Sequence, residues 1–152
     1  MAGRETPATR AARAAGVRFT VHEYAHDPRA ESYALEAATA LRLDAERVFK
    51  TLVVTVGDRL TVCIVPAAEQ LDLRSLGKRA QLAPTPRAES VTGYVAGGIS
   101  PLGQRLRLDT LVDASALDHP TVYVSAGRRG LEIELAPADL VALTGAEIRP
   151  LT

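Results

Sequence analysis

The chain has 152 residues, of which 47% are hydrophobic and 24% charged, a composition typical of one globular domain and unlike that of a disordered protein. Its 18 acidic and 18 basic side chains balance, so no overall field would hold a polyanion, and any nucleic-acid contact must come from local patches. The longest apolar runs have the length of strands, so we expect neither a membrane span nor a secretory signal but a cytoplasmic protein with a single domain over residues 1–152.

The first third of the chain is typical of two helices with a strand between them. Thr6-Pro7 can cap and begin a helix that continues over residues 8–15. Alternating apolar residues then predict a strand over residues 17–24. Ser32 can cap a second helix that runs to about residue 43.

One stretch in this region matches a zinc motif by its letters alone. His22-Glu23-Tyr24-Ala25-His26 has the H-E-x-x-H spacing of zinc peptidases, which need a helix to bring both imidazoles to one metal. Here the alternation predicts a strand, and Asp27-Pro28 would end a helix at once. The two histidines would then lie roughly 13 Å apart, so we predict no metal site.

Two β-branched runs follow, over residues 48–56 and 60–66, and Gly57-Asp58 between them predicts a hairpin. Cys63 lies inside the second run. A lone cysteine in an apolar strand indicates a small buried residue rather than a nucleophile.

Lys50 is the most informative side chain of the first run. Strand alternation places it on the more apolar face, with Leu52 and Val54. There its ammonium either reaches out to solvent from the strand end or points into a pocket that binds a polar substrate. Because 16 of the 18 basic residues are arginine, retention of a compact ammonium at this position favours the pocket.

The second half begins with a predicted short helix over residues 72–80 and a rigid break at Pro84-Thr85-Pro86. Later come three predicted strands, a closing helix and an edge strand, over residues 110–113, 121–125, 131–135, 137–143 and 147–151.

Between these halves, residues 97–104 hold three glycines and one proline. Glycine lets the backbone approach a ligand closely, so such a loop is either a binding site or a sharp connection between strands. Its spacing matches neither a phosphate-binding P-loop nor a dinucleotide-binding turn. Ser100 and Ser125 have no histidine near them in a motif, so no catalytic triad, metal-activated water or cofactor is predicted.

Several of these segments together resemble the YbaK/EbsC family. They are Val48-Phe49-Lys50-Thr51-Leu52, Thr92-Gly93-Tyr94, the loop from Gly97-Gly98-Ile99-Ser100 to Gln104, and Tyr123-Val124-Ser125 followed by Gly127-Arg128-Arg129-Gly130-Leu131. His22, Tyr24 and His26-Asp27-Pro28 also resemble a stretch of that family, and the likeness covers almost the whole chain. It implies a mixed α/β (α+β) fold like the editing domain of prolyl-tRNA synthetase, with a curved or barrel-like, mostly antiparallel sheet flanked by helices.

The resemblance also implies an activity, the hydrolysis of cysteinyl-tRNA(Pro), in which the substrate's own thiol attacks the ester. It implies a central role for Lys50 with Gly97, and a substrate pocket that includes Tyr24, Tyr94, Gly98, Ile99, Ser100, Ser125, Arg129 and Glu132. Backbone N–H groups at Gly97 and Gly98 could stabilise an oxyanion, and Arg128 or Arg129 could bind a phosphate. The sequence departs from the family at Ala126, usually glycine, and Glu132, often aspartate.

Three functions stay open at this point. The first is deacylation of cysteinyl-tRNA(Pro), for which docking on prolyl-tRNA synthetase could supply the selectivity. The second is deacylation of another mischarged tRNA, such as alanyl-tRNA(Pro), because the size of the pocket is set by side chains that the sequence does not locate. The third is a module that binds tRNA or a synthetase without catalysis.

Overall fold

The computed structural model describes residues 5–30 and 32–152. Its α-helices there are α1 (Pro7–Ala14), α2 (Tyr33–Ala40), α3 (Thr85–Thr92) and α4 (Pro137–Thr144). Its strands are β1 (Phe19–Glu23), β2 (Phe49–Val56), β3 (Arg59–Pro66), β4 (Ala80–Leu82), β5 (Asp109–Asp113), β6 (Val122–Arg128), β7 (Leu131–Leu135) and β8 (Glu147–Arg149). None of the described helices has the length and hydrophobicity needed to cross a membrane.

The strands form two sheets that meet at one point. The smaller has the order β1-β7-β6 and the larger the order β4-β2-β3-β5-β8. Strand β5 is parallel to both of its neighbours, whereas the other pairings between the described strands are antiparallel. A parallel bridge between Val48 and Tyr123 links the start of β2 to β6. The predicted mixed α/β fold with mostly antiparallel strands is confirmed.

The β2–β3 hairpin is also confirmed. Val56 pairs with Arg59, so that Gly57-Asp58 forms a two-residue turn, and Gly57 has φ +62°. A positive φ at this position favours glycine, which is why the turn could be predicted from two residues. The hairpin places Cys63 opposite Leu52, where it is fully buried, and burial raises the pKa of its thiol to about 11.

The main core lies between the two sheets. Phe49 and Ile64 of the larger sheet and Ile133 of the smaller one belong to one buried cluster, which Leu140 of α4 and Ala12 of α1 complete. A second cluster, with Val54 and Cys63, covers the opposite face of the larger sheet. The larger sheet therefore has apolar contacts on both faces, which explains its continuous β-branched runs.

Helix α1 is attached to β6 by its cap. The Thr6 hydroxyl accepts a hydrogen bond from the Thr9 N–H at 3.2 Å and donates one to the carbonyl of Ala126. This contact joins residues 120 positions apart in the chain, close to the turn between β6 and β7.

Two predicted elements in the middle of the chain were wrong. Residues 72–80 do not form a helix: a single 3-10 turn, Leu73–Leu76, ends at Gly77 with φ +140°, and β4 begins at Ala80. The expected break at residues 84–86 is instead the start of α3, because proline is tolerated in the first turn of a helix, where its missing N–H would have no partner.

Substitution of Thr6 by valine should destabilise the protein by about 1 to 2 kcal/mol, because it removes the cap and leaves the buried Ala126 carbonyl without its donor. Thr20→Val, at an exposed position on β1, is the matched control and should change stability by less than about 0.5 kcal/mol. Urea unfolding of the two variants measures the difference. Equal unfolding midpoints would contradict a stabilising role for the contact between Thr6 and Ala126.

Candidate functional site

A cavity of about 350 Å³ lies where the two sheets separate beyond the Val48–Tyr123 bridge. Strand β2 pairs with β4 only over residues 54–56, so its first half presents an open edge to this space. The smaller sheet, the start of α2, the glycine loop and the segment from β4 into α3 form the other walls. The cavity therefore results from the way in which β2 pairs with its neighbouring strands.

Six of the ten predicted site residues line this cavity. They come from separate parts of the chain: Tyr24, Lys50, Gly97, Ile99, Ser125 and Glu132. The other four, Tyr94, Gly98, Ser100 and Arg129, are not part of the lining.

Lys50 lies on the open half of β2, opposite Val65 of β3. Burial lowers the pKa of its ammonium, and the Glu69 carboxylate partly offsets that effect. The side chain is partly buried rather than extended into solvent. It is therefore a cation at the edge of an otherwise mainly apolar cavity, where it can meet a polar or negatively charged group.

The glycine loop reaches the cavity through Gly97. A Cβ at Gly97, which has φ +88°, would lie 2.4 Å from Nε of Arg129 and 3.1 Å from Cδ2 of Tyr33. A Cβ at Gly98 would lie 2.6 Å from the Cα of Arg128. Both glycines are needed because the loop packs directly against its neighbours.

The N–H of Gly98 donates to the carbonyl of Val95 at 2.8 Å, so it is already used within the loop. That bond leaves it unable to serve as the oxyanion donor expected from the sequence. The neighbouring Gly97 remains the loop glycine that borders the cavity.

Tyr94 and Ser100 hold the loop together from beneath. The Tyr94 hydroxyl donates to the carbonyl of Leu102, and burial raises the pKa of Tyr94 to about 12. The Ser100 hydroxyl is fully buried and accepts from the Leu102 N–H at 3.2 Å. These side chains shape the loop from the side away from the cavity.

Arg129 connects three walls of the cavity. Its guanidinium donates to the Ala96 carbonyl at 3.3 Å and to the Tyr33 hydroxyl at 2.6 Å, and it lies 4.3 Å from the centre of the Tyr33 ring. A third contact, 3.2 Å, joins it to Nε2 of His26. Each of its three nitrogens therefore already has a partner within the protein, whereas the sequence suggested that Arg129 binds a phosphate.

The two histidines of the apparent zinc motif have different partners. His22 lies 2.8 Å from Glu134, whereas His26 lies 3.0 Å from Glu36 while its other nitrogen faces Arg129. No group of three or more potential metal ligands occurs within residues 5–30 and 32–152. The strand predicted for His22 is confirmed, because it lies in β1.

Glu132 lies on β7, opposite Ser125 of β6, so these two side chains stand side by side at the cavity. Glu132 is only 5% exposed, and in the described residues its carboxyl group has neither a hydrogen bond nor an ion pair. Burial raises its pKa to about 8. Its charge also contributes to the raised pKa of Tyr24, which shows that the two groups are near each other.

Sequence reasoning missed Thr51 and Tyr33, which also line the cavity. The hydroxyl oxygen of Thr51 is buried and has no hydrogen-bond partner in the part of the chain that the structure describes. Alternation placed Thr51 and Lys50 on opposite faces. Both nevertheless border the cavity, because it lies along the strand's edge rather than over one face.

Comparisons with known proteins agree on one family. A model of the aminoacyl-tRNA editing domain matches residues 28–143. A candidate Cys-tRNA(Pro)/Cys-tRNA(Cys) deacylase, EbsC of Enterococcus faecalis (strain ATCC 700802 / V583), is 35% identical over 122 residues, which are 76% of this chain and 74% of that protein.

Solved structures share the fold over nearly the whole chain. A candidate trans-editing enzyme for prolyl-tRNA synthetase superposes with a TM-score of 0.80 at 25% identity, and the match covers 97% of this chain and 98% of that one. A hypothetical protein superposes with a TM-score of 0.84 at 24% identity, covering 96% and 99% of the two chains, and supports the fold alone.

The buried carboxyl of Glu132 makes stability depend on pH. Its pKa rises from 4.5 to about 8 on folding, so the stability it contributes is complete below about pH 4.5 and is lost as the pH rises to about 8. The free energy of unfolding of the native chain should therefore fall across this range, relative to Glu132→Gln, by a few kcal/mol.

Glu134→Gln is the matched control for this measurement. Although burial alone would raise the pKa of Glu134, hydrogen bonds from Thr121 and His22 lower it, so its contribution is lost only as the pH falls. Urea unfolding from pH 5 to pH 8 should show the alkaline loss in the native chain and in Glu134→Gln. Parallel curves for the native chain and Glu132→Gln would contradict the assignment.

Proposed function

The chain belongs to the aminoacyl-tRNA editing domain family, and from that premise we propose that it deacylates mischarged cysteinyl-tRNA(Pro) by cleaving its ester. The observation that carries the proposal is the meeting of Lys50, Gly97, Ser125 and Glu132 at one cavity. At about 350 Å³ it lies within the range of small-molecule sites and can hold an aminoacyl group with part of its ribose.

The chemistry needs no nucleophile from the protein. In the proposed reaction the substrate's thiol sulfur bonds to the ester carbonyl carbon, and the bond from that carbon to the ribose oxygen breaks. The thiol proton passes to the ribose oxygen, which leaves a cyclic thiolactone and a tRNA with its free hydroxyl. The protein's part is to hold the thiol and the carbonyl in reacting geometry.

The side chains that line the cavity support a reaction in which the substrate supplies its own nucleophile. The described lining of the cavity contains neither histidine nor cysteine, and Cys63 belongs to the cluster on the other face of the larger sheet. We assign to Lys50 the stabilisation of negative charge on the ester oxygen or on the terminal phosphate. Gly97 allows the acyl group to approach the loop backbone closely.

Ser125 is the second polar contact that we assign to the substrate. Its oxygen accepts a hydrogen bond from the Gly127 N–H at 3.1 Å, which leaves the hydroxyl hydrogen available to donate into the cavity. Tyr24 and Ile99 complete the wall around the acyl group.

Recognition of the tRNA body must be weak, because a chain with 18 acidic and 18 basic residues has no net charge to attract it. The cavity accommodates only the acylated end. We therefore propose that selectivity for one tRNA comes from a partner, and prolyl-tRNA synthetase is the candidate, because one structural relative is described as a trans-editing enzyme for it. Aminoacyl-tRNA is made in the cytoplasm, where we place the activity.

The test is a deacylation assay with cysteinyl-tRNA(Pro), cysteinyl-tRNA(Cys) and alanyl-tRNA(Pro), each with and without prolyl-tRNA synthetase. We expect turnover of the cysteinyl esters, and sharper selection of tRNA(Pro) when the synthetase is present. Turnover of the alanyl ester alone would contradict attack by the substrate thiol. Binding of all three without hydrolysis would identify a non-catalytic module.

Substitution of Lys50 by alanine should lower kcat/KM on cysteinyl-tRNA(Pro) by about 100-fold or more, because it removes the cation at the cavity. Lys78→Ala is the matched control, since Lys78 is the other lysine of the chain and is exposed outside the cavity. Lys78→Ala should retain native kcat/KM. Normal turnover by Lys50→Ala at saturating enzyme would remove Lys50 from the mechanism.

A further inference from the structure

The cavity contains a buried acid with no countercharge. Glu132 is 5% exposed and lines the cavity beside Tyr24, and in residues 5–30 and 32–152 its carboxyl forms neither a hydrogen bond nor an ion pair. Burying such a group without a partner costs free energy. A fold that keeps it beside a cavity therefore leaves one position for a cation or donor that must come from outside the chain.

The neighbouring basic side chains have other partners. His22, which is opposite Glu132 in the β1–β7 pairing, lies 2.8 Å from Glu134. Arg129 is bound to Ala96, Tyr33 and His26, and it is not part of the cavity lining. Lys50 does line the cavity, but the carboxylate that influences its ammonium is Glu69, not Glu132. Lys50 on β2 and Glu132 on β7 line the cavity from different sheets and form no ion pair among the described residues, so each can serve a different part of one ligand.

An aminoacyl ester has this distribution of groups. Its carbonyl and ribose oxygens require a cation or hydrogen-bond donors, and its α-ammonium, one carbon away from the carbonyl, requires an acceptor. Glu132 and Ser125 are paired across β6 and β7, so their side chains are separated by about 5 Å at the Cβ atoms. That spacing suits an amine on Glu132 and an adjacent carbonyl oxygen on the Ser125 hydroxyl.

We propose that Glu132 binds the α-ammonium of the aminoacyl group, so that the site accepts tRNA esters of amino acids with a free amine and rejects esters in which that amine is acylated or replaced. The inference rests on the proposed deacylase function and specifies its substrate class. A formylated or peptidyl ester would present no cation to Glu132 and would leave the carboxyl buried and unpaired.

The contact between Glu132 and the α-ammonium also predicts how many protons are released on binding. A substrate that arrives as an ammonium stabilises the charged carboxylate, so the proton held by the free Glu132 carboxyl is released to solvent when the complex forms. Because burial raises the pKa of Glu132 to about 8, that release should approach one proton per complex at pH 6.5 and decline above pH 8.

The binding test uses stable mimics, so it does not depend on turnover. Cysteinyl-adenosine with an amide in place of the 3′ ester is compared by calorimetry with the mimic in which a hydroxyl replaces the α-amine. The native chain should bind the amine roughly 10- to 100-fold more tightly, with release of a proton. In Glu132→Gln that preference should shrink to within a few-fold, while Glu132→Asp should restore part of it.

A parallel assay separates the two proposals. The native chain is given tRNA(Pro) esterified with cysteine and with N-acetylcysteine, which both keep the thiol. Turnover of the free amine alone supports the inference, and equal turnover of both esters overturns it. If neither ester is hydrolysed, the deacylase function fails, and the inference is then judged by the mimics: equal binding of amine and hydroxyl mimics would overturn it.

Discussion

The separation of the two sheets beyond the Val48–Tyr123 bridge is the constraint on which the site depends. At that bridge β2 runs beside β6, but from Val54 onward it pairs with β4 instead. The stretch between these points has no strand on its outer side, and Lys50 lies in it. The two sheets share a continuous core with α1 and α4, so the gap is held open by packing elsewhere in the fold.

The glycine loop and the β6–β7 turn close the gap, and their close contact depends on glycine residues. Gly97 and Gly98 lie so near Arg129 and Arg128 that a Cβ would clash, and Arg129 in turn binds Tyr33 at the start of α2. Arg129 thus acts as a brace between the walls. Its contacts within the protein explain why Arg129 is not part of the cavity lining, although the sequence suggested that it binds a ligand.

Much of the fold could be predicted from the sequence because its signals are local. Thr6-Pro7 marks the start of α1, and Gly57 sets the β2–β3 turn. The prediction failed around Gly77, where a positive φ ended a helix after one turn, and at Pro84-Thr85-Pro86, where prolines begin a helix instead of breaking one. In the second place the deciding rule is itself local, because proline is tolerated in the first turn of a helix.

For the site, alternation singled out Lys50 and glycine content singled out the loop that begins at Gly97, whereas the family resemblance added Ser125 and Glu132. Neither source could show that Thr51 borders the same cavity or that the Gly98 N–H is used within its own loop. Those facts arise from an open strand edge and a turn, which are properties of the assembled sheets. The lack of a partner for Glu132 likewise appears only once β6 and β7 are paired.

If this cavity receives the aminoacyl end of tRNA, a crystal structure with the amide-linked cysteinyl-adenosine mimic will show it there. We expect the acyl group between Gly97 and Ser125, with its amine on Glu132 and an oxygen of the mimic facing Lys50. A mimic bound only in the groove lined by Arg59, Arg107 and Arg149, with the cavity empty, would contradict it.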